Sequence, residues 1–245
     1  MGGRGASSPT STAMVTGPTG SYPKKMESLL DGKGHISLDM HDYFDGLKPK
    51  YTREQLEAFI STLPYEATAY FTPEGELVYI TSQYKNGSVS TDPYTLSGLI
   101  ATHDDGYVDF HNHPMEMTDT YWTYPIFSSG DIGAFTQQVW DKQVMNMRMP
   151  TVFTVRASNG MAFTLEYVGG YTRDPNGFKK AYSAAFTRAK NAVMPEVRQA
   201  YFDGVYTTAI ERNTAMANGV TEWMDDYLRK NASKYGFRYN SNVQS

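Results

Sequence analysis

Polar and small residues fill the first 21 positions, "MGGRGASSPTSTAMVTGPTGS", and few apolar side chains interrupt them. Such a segment cannot bury enough surface to offset its ordering entropy, so 1–21 is expected to be a flexible tail. Residues 22–50 mix Gly and Pro throughout and show no firm period. A regular pattern begins at "YTREQLEAFISTLP". Leu56, Phe59, Ile60 and Leu63 share one helical face, Thr52 and Gln55 have the spacing of a capping box, and Pro64 closes the helix. In "YEATAYFTPEGELVYITSQY" two β-prone runs flank a Gly-containing turn, which predicts a hairpin. Residues 93–101 predict a short helix opening after Asp92 with Pro93 in its first position.

The alternation continues. "YVDFHNH" predicts a strand ended by Pro114, and "SSGDIGAFTQQVWDKQV" a helix. "TVFTVRA" and "MAFTLEYV" around "SNG" predict a second hairpin. Helices and strands thus alternate over 52–168, as in an α+β or α/β sandwich around a mixed sheet. From Asp174 and Pro175 onward the period is helical. Phe178, Tyr182, Phe186, Ala189 and Val193 form one apolar stripe. Pro195 is expected to break it, a second helix is expected over roughly 196–217, and a third after Gly219 carries Val220, Trp223, Met224 and Tyr227. These stripes read as packing surface. The resulting division is a tail (1–21), a mixed domain (22–172) and a helical extension (173–245) that offers a surface for self-association.

Composition narrows the possibilities. The chain has 245 residues, 40 % hydrophobic and 20 % charged, which fits a folded protein rather than a disordered one. A net charge of −4 with no basic cluster argues against nucleic acid as a partner. Cysteine is absent, so disulfides, thiolate metal sites and a cysteine nucleophile are excluded. No run approaches the ~18–20 apolar residues of a membrane span, and the start lacks a signal-peptide core. No membrane association and a cytoplasmic location are the simplest expectations.

The chemistry concentrates in "DFHNHPMEMTDTYWTYPIFSSGDI", residues 109–132. On a strand, positions i and i+2 face the same way, so His111 and His113 present two imidazoles side by side. Zinc takes about four ligands, and a catalytic site keeps one position for water. Asp131 is the natural third protein ligand, near the start of the following helix. Ser128 lies three residues before it and on the same side. Each half has an ordinary explanation. His-x-His pairs are common on surfaces, and Ser-x-x-Asp caps helices. Their succession carries the information. Asp109 shares the histidine face, either as a surface residue or behind a ligand imidazole. His103 reads as a loop residue, and His35 and His41 fall in the region without a pattern.

The sequence "HNHP…FSSGD" resembles the JAMM (MPN-type, JAB-domain) metalloprotease signature of His-x-His, a spacer and Ser-x-x-Asp. The "HNHP" form is especially similar to the bacterial and phage branch. The resemblance covers roughly 52–168 and implies an α+β fold, a JAB-like α-β-α sandwich around a mixed sheet. It implies Zn2+ held by His111, His113 and Asp131, with Ser128 steadying an oxyanion; Ser129 breaks the spacing. It also implies an upstream glutamate as general base. Glu66, after a helix and at the opening of the first hairpin strand, occupies that place. Glu76 is the runner-up, Glu74 and Glu76 belonging to the turn. Glu57 lies off its helix's apolar stripe, and Glu116 lies within the spacer. The fourteen residues between His113 and Ser128 exceed the family's usual spacer. The added aromatic stretch, 115–127, reads either as a lid facing substrate or as a loop packed on the core. The function implied is metal-assisted hydrolysis of a peptide or isopeptide bond in a peptide or protein substrate. The alternative is a JAMM-fold phage or mobile-element accessory protein without peptidase activity, acting as a binding or assembly module.

Overall fold

The computed structural model describes residues 44–45, 48–82, 89–101, 106–169 and 175–243. The expected tail, His35, His41, His103 and Asp174 lie outside the described residues. In chain order the elements are β1 (Phe44–Asp45), β2 (Lys48–Pro49), α1 (Arg53–Ile60), β3 (Ala67–Phe71), β4 (Leu77–Ser82), α2 (Pro93–Leu99) and β5 (Val108–His113). Then come α3 (Ser129–Met145), β6 (Val152–Ala157), β7 (Ala162–Tyr167), α4 (Pro175–Phe202), α5 (Ala209–Asn231), a 3-10 turn (Ala232–Tyr235) and β8 (Phe237–Ser241). This is an α+β chain. Among the described residues, no helix is long and apolar enough to cross a membrane.

Local signals set the elements where the sequence places them. Thr52 and Gln55 cap α1 reciprocally, and Asp92 accepts from the Thr95 N–H to open α2. Six strands form one sheet in the order β4-β3-β5-β6-β7-β8. Every pairing is antiparallel except β5 with β6. A parallel pair needs a long crossover, and α3 supplies it.

Alternation along β5 sorts the two faces of the sheet. Val108 and Phe110 pack with Ala67, Ala69, Phe71 and the α1 residues Leu56, Phe59 and Ile60. On the other face, β6 aligns Phe153 and Val155 with Asp109 and His111, and both pack against α3, α4 and α5. This second core holds Phe127, Phe135, Phe178, Tyr182, Val220 and Met224, all fully buried. Burial of each such side chain contributes roughly 1.5–3 kcal/mol before ordering entropy is counted. Phe178 stacks on Phe237 with ring centroids 5.2 Å apart, so a residue of α4 rests directly on the last strand.

Beyond residue 175 the helices differ from expectation. α4 continues through Pro195 to Phe202. The missing N–H and ring clash of an interior proline cost about 3 kcal/mol, and the packing of Ala189, Val193 and Val197 on either side against the core outweighs them. The break comes at Asp203–Gly204 instead. Gly204 has φ +76°, and the Val205 N–H reaches back to the Ala200 carbonyl, a left-handed helix stop. Thr208 and Glu211 then form a capping box that starts α5. Gly219 lies inside α5 rather than ahead of it. A Cβ there would stand 2.7 Å from Val193 Cγ1, so glycine permits the close approach of α4 and α5. The region expected as a helical extension also contributes β8, which pairs with β7 along its whole length. Asp225 of α5 ties that strand down by accepting from Tyr239 and Ser241.

Candidate metal centre

His111 and His113 share the face of β5 that looks toward α3, and both are buried. Asp131 is the third residue of α3. Its carboxylate Oδ2 accepts from the Ser128 N–H at 2.5 Å while Ser128 Oγ accepts from the Asp131 N–H at 3.1 Å. This reciprocal cap fixes the carboxylate at the positive end of the helix dipole. The candidate ligand is therefore also one half of the helix's capping box.

The three groups converge. His111 Nε2 lies 3.0 Å from His113 Nε2, His113 Nε2 lies 3.2 Å from Asp131 Oδ2, and His111 Nε2 lies 3.7 Å from Asp131 Oδ1. One ligand atom from each residue falls within 4.8 Å of the others, a cluster able to hold a metal ion. Bonds of about 2.0–2.2 Å to a tetrahedral zinc place ligand atoms about 3.3–3.6 Å apart, and the three observed separations bracket that range. Donor chemistry agrees. His113 Nδ1 lies 3.2 Å from the Pro125 carbonyl, which can only accept, so Nδ1 is the nitrogen placed to donate to it and Nε2 is the one that faces the cluster.

Sequence reasoning places Asp109 either at the surface or behind a ligand. The structure removes the surface option, since Asp109 is 6 % exposed. Its partners are the Thr68 hydroxyl at 3.0 Å and Gln138 Nε2 at 3.1 Å. Burial pushes its carboxyl up to about 7, and the Asp131 charge adds to the rise. The hydrogen bonds from Gln138 and Thr68 oppose it.

Glu66 immediately precedes β3 and is half-buried. Thr68 pairs with His111, and continuing that antiparallel register sets residue 66 opposite His113. Thr68 directs its hydroxyl to the histidine face, and residue 66 has the same parity. Glu74 and Glu76 are exposed in the turn beyond Phe71, which pairs with Val108 at the opposite end of β5. Glu57 forms an ion pair with Arg53 at 2.6 Å.

The spacer between the candidate ligands is packed on the core. Met115, Met117, Ile126 and Phe127 are buried, Met117 bridges to Trp122, and Asn213 of α5 donates to the Thr118 and Asp119 carbonyls. Its Pro125 carbonyl is the group that orients His113.

One residue escaped the sequence reading altogether. Asn112, between the two histidines, is fully buried and points to the opposite face. Its Oδ1 accepts from the Ala67 N–H at 2.7 Å, and its Nδ2 donates to the Tyr65 carbonyl at 2.9 Å and the Leu63 carbonyl at 3.4 Å. The segment it fastens carries Glu66. Alternation alone sends residue 112 away from the histidines; only the partners show what it holds.

No protein-family model, curated protein or solved structure matches this chain.

Proposed function

We propose that this protein is a zinc-dependent metallopeptidase or isopeptidase of the JAMM type. The observation that carries the reading is the convergence of His111, His113 and Asp131, with His113 Nδ1 turned to the Pro125 carbonyl and Nε2 to the cluster. Zinc bound by these residues would supply a Lewis acid and lower the pKa of a coordinated water to about 7. Glu66 would receive the proton of that water and return it to the departing amine. In the cap, Ser128 Oγ acts as acceptor, so its own hydrogen remains to be donated to the developing oxyanion. The substrate would be a peptide or protein whose scissile carbonyl reaches the cluster.

The test is metal content by elemental analysis of wild type beside His113→Ala, followed by a panel of peptide and isopeptide substrates. Zinc bound by wild type and absent from the variant, with hydrolysis that follows the zinc, supports the reading. A wild-type chain that takes up no metal when zinc is supplied removes it.

A further inference from the structure

We propose that Tyr182 of α4 is a positioning residue for Asp131, acting through the single peptide group that joins Phe127 to Ser128. The inference rests on the metal-centre reading above and adds a component that lies outside the signature residues. Tyr182 is fully buried, and its hydroxyl donates to the Phe127 carbonyl at 2.5 Å. The N–H at the other end of the same peptide, on Ser128, donates to Asp131 Oδ2 at 2.5 Å. A peptide unit is planar, so holding its oxygen fixes the direction in which its N–H points. Hydrogen bonds in series also polarise one another, and a donor on the carbonyl makes the N–H a stronger donor to the carboxylate. The chain of contacts runs from the Tyr182 hydroxyl through one peptide to Asp131, and Asp131 Oδ2 is 3.2 Å from His113 Nε2.

The placement of this hydroxyl calls for a reason beyond packing. A phenylalanine would fill the space between Phe178 and Phe186, whose rings flank Tyr182. Burying a hydroxyl is unfavourable unless it is hydrogen-bonded. This one is bonded to the residue just ahead of the cap that presents the ligand, from a helix 55 positions downstream. Within the cap, Ser128 Oγ secures the Asp131 backbone, while Tyr182 secures the peptide that bonds the Asp131 side chain.

The experiment titrates Zn2+ into full-length wild type, Tyr182→Phe and Tyr227→Phe against a chromophoric chelator, and records the visible spectrum of each Co2+-loaded protein. Tyr227 lines the same core and controls for packing. Tyr182→Phe is expected to lower zinc affinity by about 10-fold and to alter the Co2+ spectrum, because groups that orient ligands commonly matter on that scale. Tyr227→Phe is expected to leave both unchanged. Wild-type affinity and spectrum in Tyr182→Phe overturn the relay and leave the metal centre standing. Equal losses in both variants also overturn it, as general loosening of the core. Absence of binding by wild type overturns the metal centre and the relay with it. Should Tyr182→Phe not fold, wild type labelled with 13C at the tyrosine ring carbon bearing oxygen replaces it. The Tyr182 resonance is expected to move as zinc binds, and a stationary resonance in zinc-loaded protein overturns the proposal.

Discussion

The two faces of β5 are held in different ways. On the α1 side, Asn112 makes three hydrogen bonds to the connection between α1 and β3, a stretch of backbone within Leu63–Ala67. The partners are one local unit, folded from adjacent helix and hairpin. On the other side, His111 and His113 meet groups gathered from separate elements. Asp131 comes from α3 and the Pro125 carbonyl from the spacer, while the Tyr182 hydroxyl of α4 bonds the Phe127 carbonyl just ahead of the Asp131 cap. The α1 face fixes the segment bearing Glu66, while the α3 face holds the candidate ligands. A substitution near the site on the first face acts on the candidate base, whereas one far from the site on the second can act on the candidate metal site.

The strongest way to break this division is to remove a ligand. His113→Ala leaves two ligands, and elemental analysis is expected to fall from about one metal ion per chain to none, with hydrolysis lost as well. Metal retained at the wild-type level would take His113 out of the ligand set. Glu66→Gln separates the faces in the opposite sense. Metal content is expected to stay at the wild-type level while hydrolysis falls by roughly 10²–10⁴, the usual scale for losing a general base. Full activity in that variant would transfer the role to another carboxylate, and metal loss would make Glu66 a ligand.

What the sequence reveals of this architecture follows a different line, between signals held within a few neighbouring positions and contacts to backbone far along the chain. α1, α2, both hairpins and the start of α3 are legible because capping residues, alternation and turn glycines lie within a few positions of one another. His111, His113 and Asp131 are legible for that reason too, two by strand parity and one by its cap. The break expected at Pro195 is a local signal overruled by packing on both sides of it. Thr208 with Glu211, and the alternation in "FRYNS" that forms β8, are local signals as readable as the others. Asn112, the Pro125 carbonyl and Tyr182 belong to another class. Each acts through a backbone group of a distant segment, and such a partner leaves no mark in the sequence.

Asn112→Ala sharpens the comparison on the α1 side. It leaves the Ala67 N–H and the Tyr65 and Leu63 carbonyls without that side chain. Each buried group left unsatisfied costs about 1–3 kcal/mol, partly recovered by relaxation, so a loss of about 2–4 kcal/mol is expected. In a chain of this size that lowers Tm by roughly 5–15 °C. Measured with saturating zinc, the variant is expected to keep its metal and lose hydrolysis, because the slackened segment carries Glu66. Metal lost along with activity would show that the two faces are not separable.

The smallest expected effect tests how far the α3 side extends. Gly219→Ala places a methyl 2.7 Å from Val193 Cγ1, so α4 and α5 must part or Val193 must move. Overpacking of this kind costs about 1–3 kcal/mol. Because α4 and α5 share one core with β6, β7 and β8, the whole thermal transition is expected to shift downward as a single step. Adding Val193→Ala removes the methyl that the new Cβ meets and is expected to recover part of the shift, a coupling that only neighbours show. Two separated transitions in Gly219→Ala would give the opposite answer. The C-terminal helices would then be a unit that melts on its own, and Tyr182 would be reaching the ligand-bearing cap from outside the core that holds it.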